Sequence, residues 1–264
     1  EKLNLQTFEG DLYRKVYNLV ETNYDIIKSA KPRVSKNSTG YALWNVWDRT
    51  TFDMTKLFVG SEGTLGITTE IKFGLVQPEP ISKLLVVFIN DLSILPSLVN
   101  KVREHKPAAF ESYDDNTFKF AIRFLPDLVK SLKAKGVFSL LIRFIPEFLM
   151  IMKSGIPKLV LLAEFTGTDE QTVDERVKKA QESIALFNIN SKIASTKEDM
   201  EKFWTVRHES FNLLRNHGGK KHTAPFIDDI IVAPENLPEF LPRLTKLMNE
   251  YKLTYTIAGH IGEG

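Results

Sequence analysis

The sequence predicts an α+β protein in two parts, and three observations carry that expectation. Short apolar runs at Leu84–Ile89 and Lys158–Phe165 have the length of strands, and each precedes a stretch of helical periodicity, Pro96–His105 and Asp169–Leu186. Ahead of them, Phe58–Ile67 reads FVGSEGTLGI and runs at once into the alternating Thr68, Thr69, Glu70, Ile71, Lys72 and Phe73. That is a glycine-rich turn feeding a strand over Ile67–Leu75. Between the two parts, Gln77-Pro78-Glu79-Pro80 interrupts regular structure and marks a linker. The expected domains are residues 1–80 and 81–264.

In chain order, Asp11–Ala30 carries Leu12, Val16, Leu19, Val20, Ile26 and Ile27 close to helical spacing, with polar residues between them, and predicts a surface helix. Lys31-Pro32 ends it, because a residue before proline is pushed away from helical angles. Residues 33–43 are expected to be extended or turning. In the glycine-rich turn, Gly60, Ser61, Gly63 and Gly66 let the backbone approach another group more closely than a Cβ would allow and leave N–H donors to point at it. A P-loop would need a lysine after its second glycine, and none follows here. A dinucleotide fingerprint would need different glycine spacing and a helix next, whereas strand periodicity follows.

In the second part, the recurring strand and helix pattern fits helices on one face of an antiparallel sheet, a ferredoxin-like arrangement. Phe118–Met152 is strongly apolar, with Lys119, Arg123, Lys130, Lys133, Lys135, Arg143 and Lys153 falling through or beside it. Arg143, Pro146 and Glu147 break its best window below the roughly 20 apolar residues that span a bilayer. Its helices are expected either to bury an apolar face in the protein or to lie on a membrane surface. Near the end, Leu253–Ala258 reads as an apolar strand.

Composition narrows the function. A chain of 264 residues can hold two modest domains. Its net charge of +2 comes from scattered lysines, not from the concentrated basic patch that a nucleic-acid partner needs. Cysteine is absent, which excludes disulfides, thiolate zinc sites, a cysteine nucleophile and an iron–sulfur cluster held by these residues. Glu1–Gln6 reads as neither a signal nor a transit peptide, and the start is expected to be internal to a longer, cytoplasmic protein, with the inner face of the membrane as an option.

FVGSEGTLGI, preceded by Pro32, Arg33 and Val34 and then by Lys36, Asn37, Ser38, Thr39, Gly40 and Tyr41, resembles the signature of the FAD-linked oxidases and dehydrogenases. This family is typified by D-lactate dehydrogenase, the glycolate oxidase flavin subunit and D-2-hydroxyglutarate dehydrogenase, with the vanillyl-alcohol-oxidase type of flavin domain. A second match lies at Phe203, Trp204, Thr205, Val206 and Arg207, and a third at Ala258, Gly259, His260, Ile261, Gly262, Glu263 and Gly264. The three come in the family's order and span nearly all of the chain. The resemblance implies the trailing part of an FAD-binding domain followed by a ferredoxin-like cap over the substrate, with Trp44–Thr55 as an insertion.

The resemblance also implies a chemistry, the oxidation of a small 2-hydroxy acid of the D-lactate or glycolate type by hydride transfer to flavin. That reaction needs a cation for the carboxylate, a group to take or polarise the hydroxyl, and a flavin held against the α-carbon. Arg207 is the expected cation, because a guanidinium fork matches a carboxylate, with Arg215 on the same helix as the alternative. His260 is expected at a strand end to act on the hydroxyl. In several relatives the corresponding histidine binds a divalent metal with a second histidine and a distant acid. Here only the first histidine of that string, His260, is present, so the resemblance implies it as a ligand to a divalent metal in the full-length parent and not in these residues alone. Gly60, Ser61, Glu62, Gly63, Gly66 and Ile67 are implied as flavin contacts, mainly through backbone groups.

His217 and His222 bracket a polar loop and not a metal cluster. Asp228 and Asp229 precede Ile230–Val232, and aligning Asp229, Leu237 and Pro238 with the family puts Ile231 where many relatives carry serine and Ile227 where hydroxyglutarate enzymes carry lysine; Phe211 likewise sits where those enzymes carry threonine, and these departures argue against hydroxyglutarate specificity. Electron transfer onward would fall to a domain or subunit outside these residues, and peripheral membrane contact and homo-oligomerisation are open. Two alternatives stand beside the dehydrogenase: an alkyl-glycerone-phosphate synthase-like flavoenzyme, and a non-catalytic flavin-binding or assembly subunit.

Overall fold

The computed structural model describes residues 1–34, 36–37, 40–123, 145–217 and 230–263. The chain divides into two compact units, with the main break at Val76–Gln77; of the described residues beyond it, Ile230 and Ile231 group with the first unit.

The first unit is built on α1 (Phe8–Thr22) and α2 (Tyr24–Ser29). Sequence periodicity predicts one helix here; the structure breaks it at Asn23, whose side-chain amide donates to the Leu19 carbonyl and closes the first helix. Thr7 caps α1 by accepting from the Gly10 N–H at 3.3 Å. Glycine is required at position 10, since a Cβ there would lie 2.0 Å from the Leu5 carbonyl oxygen. Tyr17, Trp47 and Phe52 pack edge to face with ring centroids 5.3 to 6.2 Å apart, and Val20, Val46 and Leu57 form a small core, the last on α3 (Thr55–Phe58). Trp44–Thr55 is therefore a packed element of this unit.

Ile67–Leu75 is not a strand, contrary to the alternation of its sequence. It has no regular secondary structure and is exposed, with no ladder among the described residues, and Ile67, Ile71, Phe73 and Leu75 face solvent. Alternation prepares a segment for a half-buried sheet, but a strand exists only when a neighbour takes its hydrogen bonds.

The second unit carries a five-stranded antiparallel sheet of β1 (Ile81–Ile89), β2 (Ala109–Asp114), β3 (Leu159–Gly167), β4 (Asn190–Ala194) and β5 (Ala258–Gly259), in the order β4-β1-β3-β2-β5. Between β1 and β2 runs α4 (Leu95–Arg103); α5 (Asp115–Arg123) and α6 (Ile145–Ser154) follow β2. Between β3 and β4 lies α7 (Glu170–Ser183), then come α8 (Lys197–His217) and α9 (Leu237–Glu250). Both crossings, through α4 and α7, skip one strand and return antiparallel to it. Of the expected strand Leu253–Ala258, only its last residue pairs, together with Gly259.

Helices cover both faces of this sheet, not the single face expected. Leu85, Val87, Leu161, Ala163 and Phe165 pack with α4, α7 and α9 on one side. Leu84, Val86, Val160, Leu162 and Tyr113 pack with α5, α6 and α8 on the other. The reason is in the strands themselves: LLVVFI and LVLLAEF are continuous apolar runs without alternation, as strands buried on both sides must be.

The membrane-surface expectation falls mainly on residues 124–144, outside the described residues. Among the described residues no helix is long and apolar enough to cross a membrane.

One buried acid makes a testable contribution to this fold. Asp114 ends β2 and accepts from the Thr117 N–H at 2.8 Å, capping α5, while burial pushes its carboxyl up to about 6 against the partly opposing effect of that bond. The folded state therefore holds the proton where the unfolded chain has released it, so stability falls as pH rises from about 4 to about 6 and stays lower above. The rise from 3.8 to about 6 corresponds to at most roughly 3 kcal/mol. Asp114→Asn, which can still cap α5, should match wild type near pH 4 and be the more stable protein at pH 7. Urea midpoints of both proteins across that range check it; equal pH slopes would contradict the buried-proton account.

Candidate active site around Glu111

Glu111 lies in the middle of β2, opposite Leu162 of β3, and its side chain projects to the face covered by α8. A carboxylate placed on such a surface is tolerated only when its oxygens are paired. Both are. Arg207 of α8 donates to Oε2 from Nε at 3.2 Å, and its Nη2 forms an ion pair with the same oxygen at 3.1 Å. His260 Nδ1 meets the other oxygen, Oε1.

Each partner is delivered by local structure. Thr196 accepts from the Asp199 N–H at 3.2 Å to start α8, whose Phe203 and Val206 bury against the sheet and so hold Arg207 over β2. The segment that carries His260 runs along the free edge of β2. Tyr113 pairs with Ala258 and Ser112 with Gly259, so one step further brings His260 opposite Glu111. The Asp114 N–H donates to the Ile257 carbonyl at 2.9 Å and the Gly262 N–H to the Phe110 carbonyl at 3.2 Å, fastening both ends of the segment. At Gly262 a Cβ would lie 2.9 Å from the Phe110 Cβ, so glycine lets the turn close against the strand.

Exposure is graded across the three side chains: 10% for Glu111, 22% for Arg207 and 56% for His260. The carboxylate is the buried foundation and the imidazole the accessible tip. Chemically this is a cation and a proton acceptor held side by side on a common anion. Arg207 and His260, the two residues singled out from separate motifs, are thus brought together. Arg215 is exposed two turns further along α8. The residue that sequence reasoning missed is Glu111. Its only signal is an acid inside FESYD, which on an alternating strand reads as an outward-facing position.

A second buried charge group lies on the same side of the sheet. Lys202 of α8 and Glu147 of α6, 1% and 2% exposed, form a 2.8 Å ion pair, and Lys192 of β4 reaches the same oxygen at 3.2 Å. Burial draws the Lys202 ammonium below its ordinary range, partly opposed by Glu147.

The glycine-rich turn occupies Phe58–Ile67 of the first unit. Gly60, Glu62 and Gly63 have φ of 77°, 50° and 75°, the left-handed region that favours glycine. The Ser61 N–H donates to Phe58 O at 3.1 Å and the Thr64 N–H to Ser61 O at 2.9 Å, while Tyr41 and Thr64 share a hydroxyl hydrogen bond of 2.7 Å. A Cβ at Gly60 or Gly63 would meet nothing within 4 Å, and Gly66 and Ile67 continue the exposed run. Holding a cofactor through backbone groups would require such a shaped and open backbone. The residues of this turn do not by themselves enclose one.

For the metal expectation, among the described residues no group of three or more His, Cys, Asp or Glu is placed to hold an ion. His222, Ile227, Asp228 and Asp229 lie outside the described residues.

Comparison with known proteins bears on this arrangement. Residues 79–264 match the family model of the C-terminal domain of FAD linked oxidases. The chain is 27% identical over 263 residues to a D-2-hydroxyglutarate dehydrogenase of Pseudomonas putida, covering 97% of this chain and 24% of that protein. To a D-lactate dehydrogenase of Anaerostipes hadrus it is 24% identical over 257 residues, covering 96% and 46%. To the glycolate oxidase subunit GlcD of Bacillus subtilis it is 24% identical over 249 residues, covering 93% and 44%. The chain thus spans from about a quarter to under a half of the length of these relatives.

Proposed function

The chain belongs to the FAD linked oxidases, whose cofactor is FAD, and from that premise we propose that it carries the substrate side of a dehydrogenase for a 2-hydroxy acid. The relatives named for D-2-hydroxyglutarate, D-lactate and glycolate share that substrate class. One observation carries the reading: the guanidinium and the imidazole that this chemistry needs meet on a single buried carboxylate.

In this reading Arg207 binds the substrate carboxylate and sets the orientation of the α-carbon. His260 takes the hydroxyl proton as the C–O bond becomes a carbonyl. When FAD is bound, its chemistry would supply an acceptor for the hydride that leaves the α-carbon. Gly60, Ser61, Glu62, Gly63, Gly66 and Ile67 would hold the cofactor through backbone groups. We read the second unit as the ferredoxin-like cap, on the strand order β4-β1-β3-β2 with helices crossing after the first and third strands.

Arg207→Lys tests the carboxylate role. A point charge replaces a planar fork, so in the FAD-loaded protein KM should rise and kcat/KM fall by roughly tenfold or more, with flavin content nearly unchanged. Steady-state kinetics with D-lactate, glycolate and D-2-hydroxyglutarate, alongside flavin absorbance, read both quantities. Unchanged kinetics with all three acids would move the carboxylate role away from Arg207.

A further inference from the structure

We propose that Glu111 is a positioning residue that fixes the tautomer of His260, holding the proton on Nδ1 and leaving the lone pair on Nε2. The proposal deepens the reading above and rests on it for its functional meaning, but its structural content stands on this unit alone.

The two oxygens of Glu111 are divided between two partners. Oε2 takes both contacts from Arg207, at 3.2 and 3.1 Å, which directs the second oxygen, Oε1, at the imidazole. An ionised carboxylate only accepts, so the nitrogen facing it must carry the proton. That nitrogen is Nδ1. In a neutral imidazole the other ring nitrogen is then the acceptor, and it lies on the far side of the ring from the carboxylate.

The backbone allows little escape from this geometry. Histidine follows a two-residue pairing with β2, and the turn behind it is closed by the Gly262 N–H on Phe110 O, so the ring stands across the strand from Glu111. The three charges have an order: a buried anion, a cation neutralising it from α8, and a half-exposed ring oriented by what remains. With the proton on Nδ1, Nε2 is the atom able to receive a substrate hydroxyl proton. The same carboxylate fixes the plane of Arg207, so one residue sets the relative placement of proton acceptor and anion holder. Arg207 occupies Oε2 and leaves Oε1 to the ring, which makes the tautomer a property of the triad and not of the histidine alone.

The decisive measurement is a two-bond proton–nitrogen correlation spectrum of the imidazoles in the nitrogen-labelled chain, at about pH 9, above the ordinary imidazole range. The His260 signal is assigned by its loss in His260→Gln. Wild type is expected to show the Nδ1-protonated form. In Glu111→Gln, whose amide can also donate, the Nε2-protonated form should become a major species, while Glu111→Asp should keep the wild-type pattern.

An Nε2-protonated His260 in wild type overturns the proposal outright, before any variant is made. So does an unchanged tautomer in a folded Glu111→Gln protein. Should Glu111→Gln fail to fold, wild type and Glu111→Asp decide the matter between them. The FAD-loaded protein supplies the functional arm: Glu111→Gln should lower kcat for a 2-hydroxy acid tenfold or more, with Glu111→Asp recovering part of it. A wild-type protein with the expected tautomer and no activity on any 2-hydroxy acid would defeat the functional reading and leave the positioning role standing.

Discussion

Replacing Lys202 with methionine should destabilise the protein by about 3–5 kcal/mol, the range for removing one partner of a buried ion pair. Lys202 and Glu147 are almost fully buried and 2.8 Å apart, and Glu147 Oε2 is buried with no hydrogen-bond partner among the described residues. Taking away the ammonium leaves a carboxylate that, among the described residues, keeps the Lys192 ammonium, which is itself partly exposed and 3.2 Å away. The double variant Lys202→Met/Glu147→Gln should recover most of the loss, because no uncompensated charge then remains inside. Urea unfolding of wild type, both single variants and the double variant forms a thermodynamic cycle. Additive losses in that cycle would show that the two side chains act independently and that their charges are not the issue.

This pair also shows why a sequence reveals some parts of the fold and hides others. β1 and β3 are legible as strands because LLVVFI and LVLLAEF are too short and too uniformly apolar for surface helices. The same uniformity says that both faces are covered, and there the expectation of a one-sided sheet went wrong. Alternation at Ile67–Leu75 is real in the sequence, yet no strand forms, because pairing is a property of two segments and the pattern describes one. The helix over residues 11–30 is recognisable by its period, while the break at Asn23 depends on a side-chain amide choosing a carbonyl one turn back.

At the site, Arg207 and His260 were legible through motifs, and Glu111 was not. An acid between Phe110 and Ser112 looks like any outward-facing strand position. What makes it a hub is the closing of α8 over one face and the docking of residues 257–262 along the β2 edge, both of them contacts between residues far apart in sequence. The signal that points to it is a mismatch of levels: a charged residue in a strand whose other positions are buried needs a cation, and Arg207 of the FWTVR motif is one.

That division of labour leads to the largest expected effect on activity. His260→Ala should slow reduction of the flavin by a 2-hydroxy acid by about 100-fold or more, the usual contribution of a positioned general base. It should do so with little change in stability. The ring is more than half exposed, so its removal uncovers little apolar surface, and the backbone bonds that fasten the segment, from Asp114 to Ile257 and from Gly262 to Phe110, do not involve it. The carboxylate left behind keeps Arg207 as its partner, so substrate binding through the guanidinium should persist and the loss should fall on the reduction step, not on KM. Anaerobic stopped-flow reduction of the FAD-loaded protein, run beside thermal unfolding of the same two proteins, separates the two roles this residue could have. A lower melting temperature with near-normal reduction per bound flavin would make His260 a structural residue of the β2 edge. A normal melting temperature with reduction slowed a hundredfold places the proton acceptor at the exposed end of the Glu111 triad.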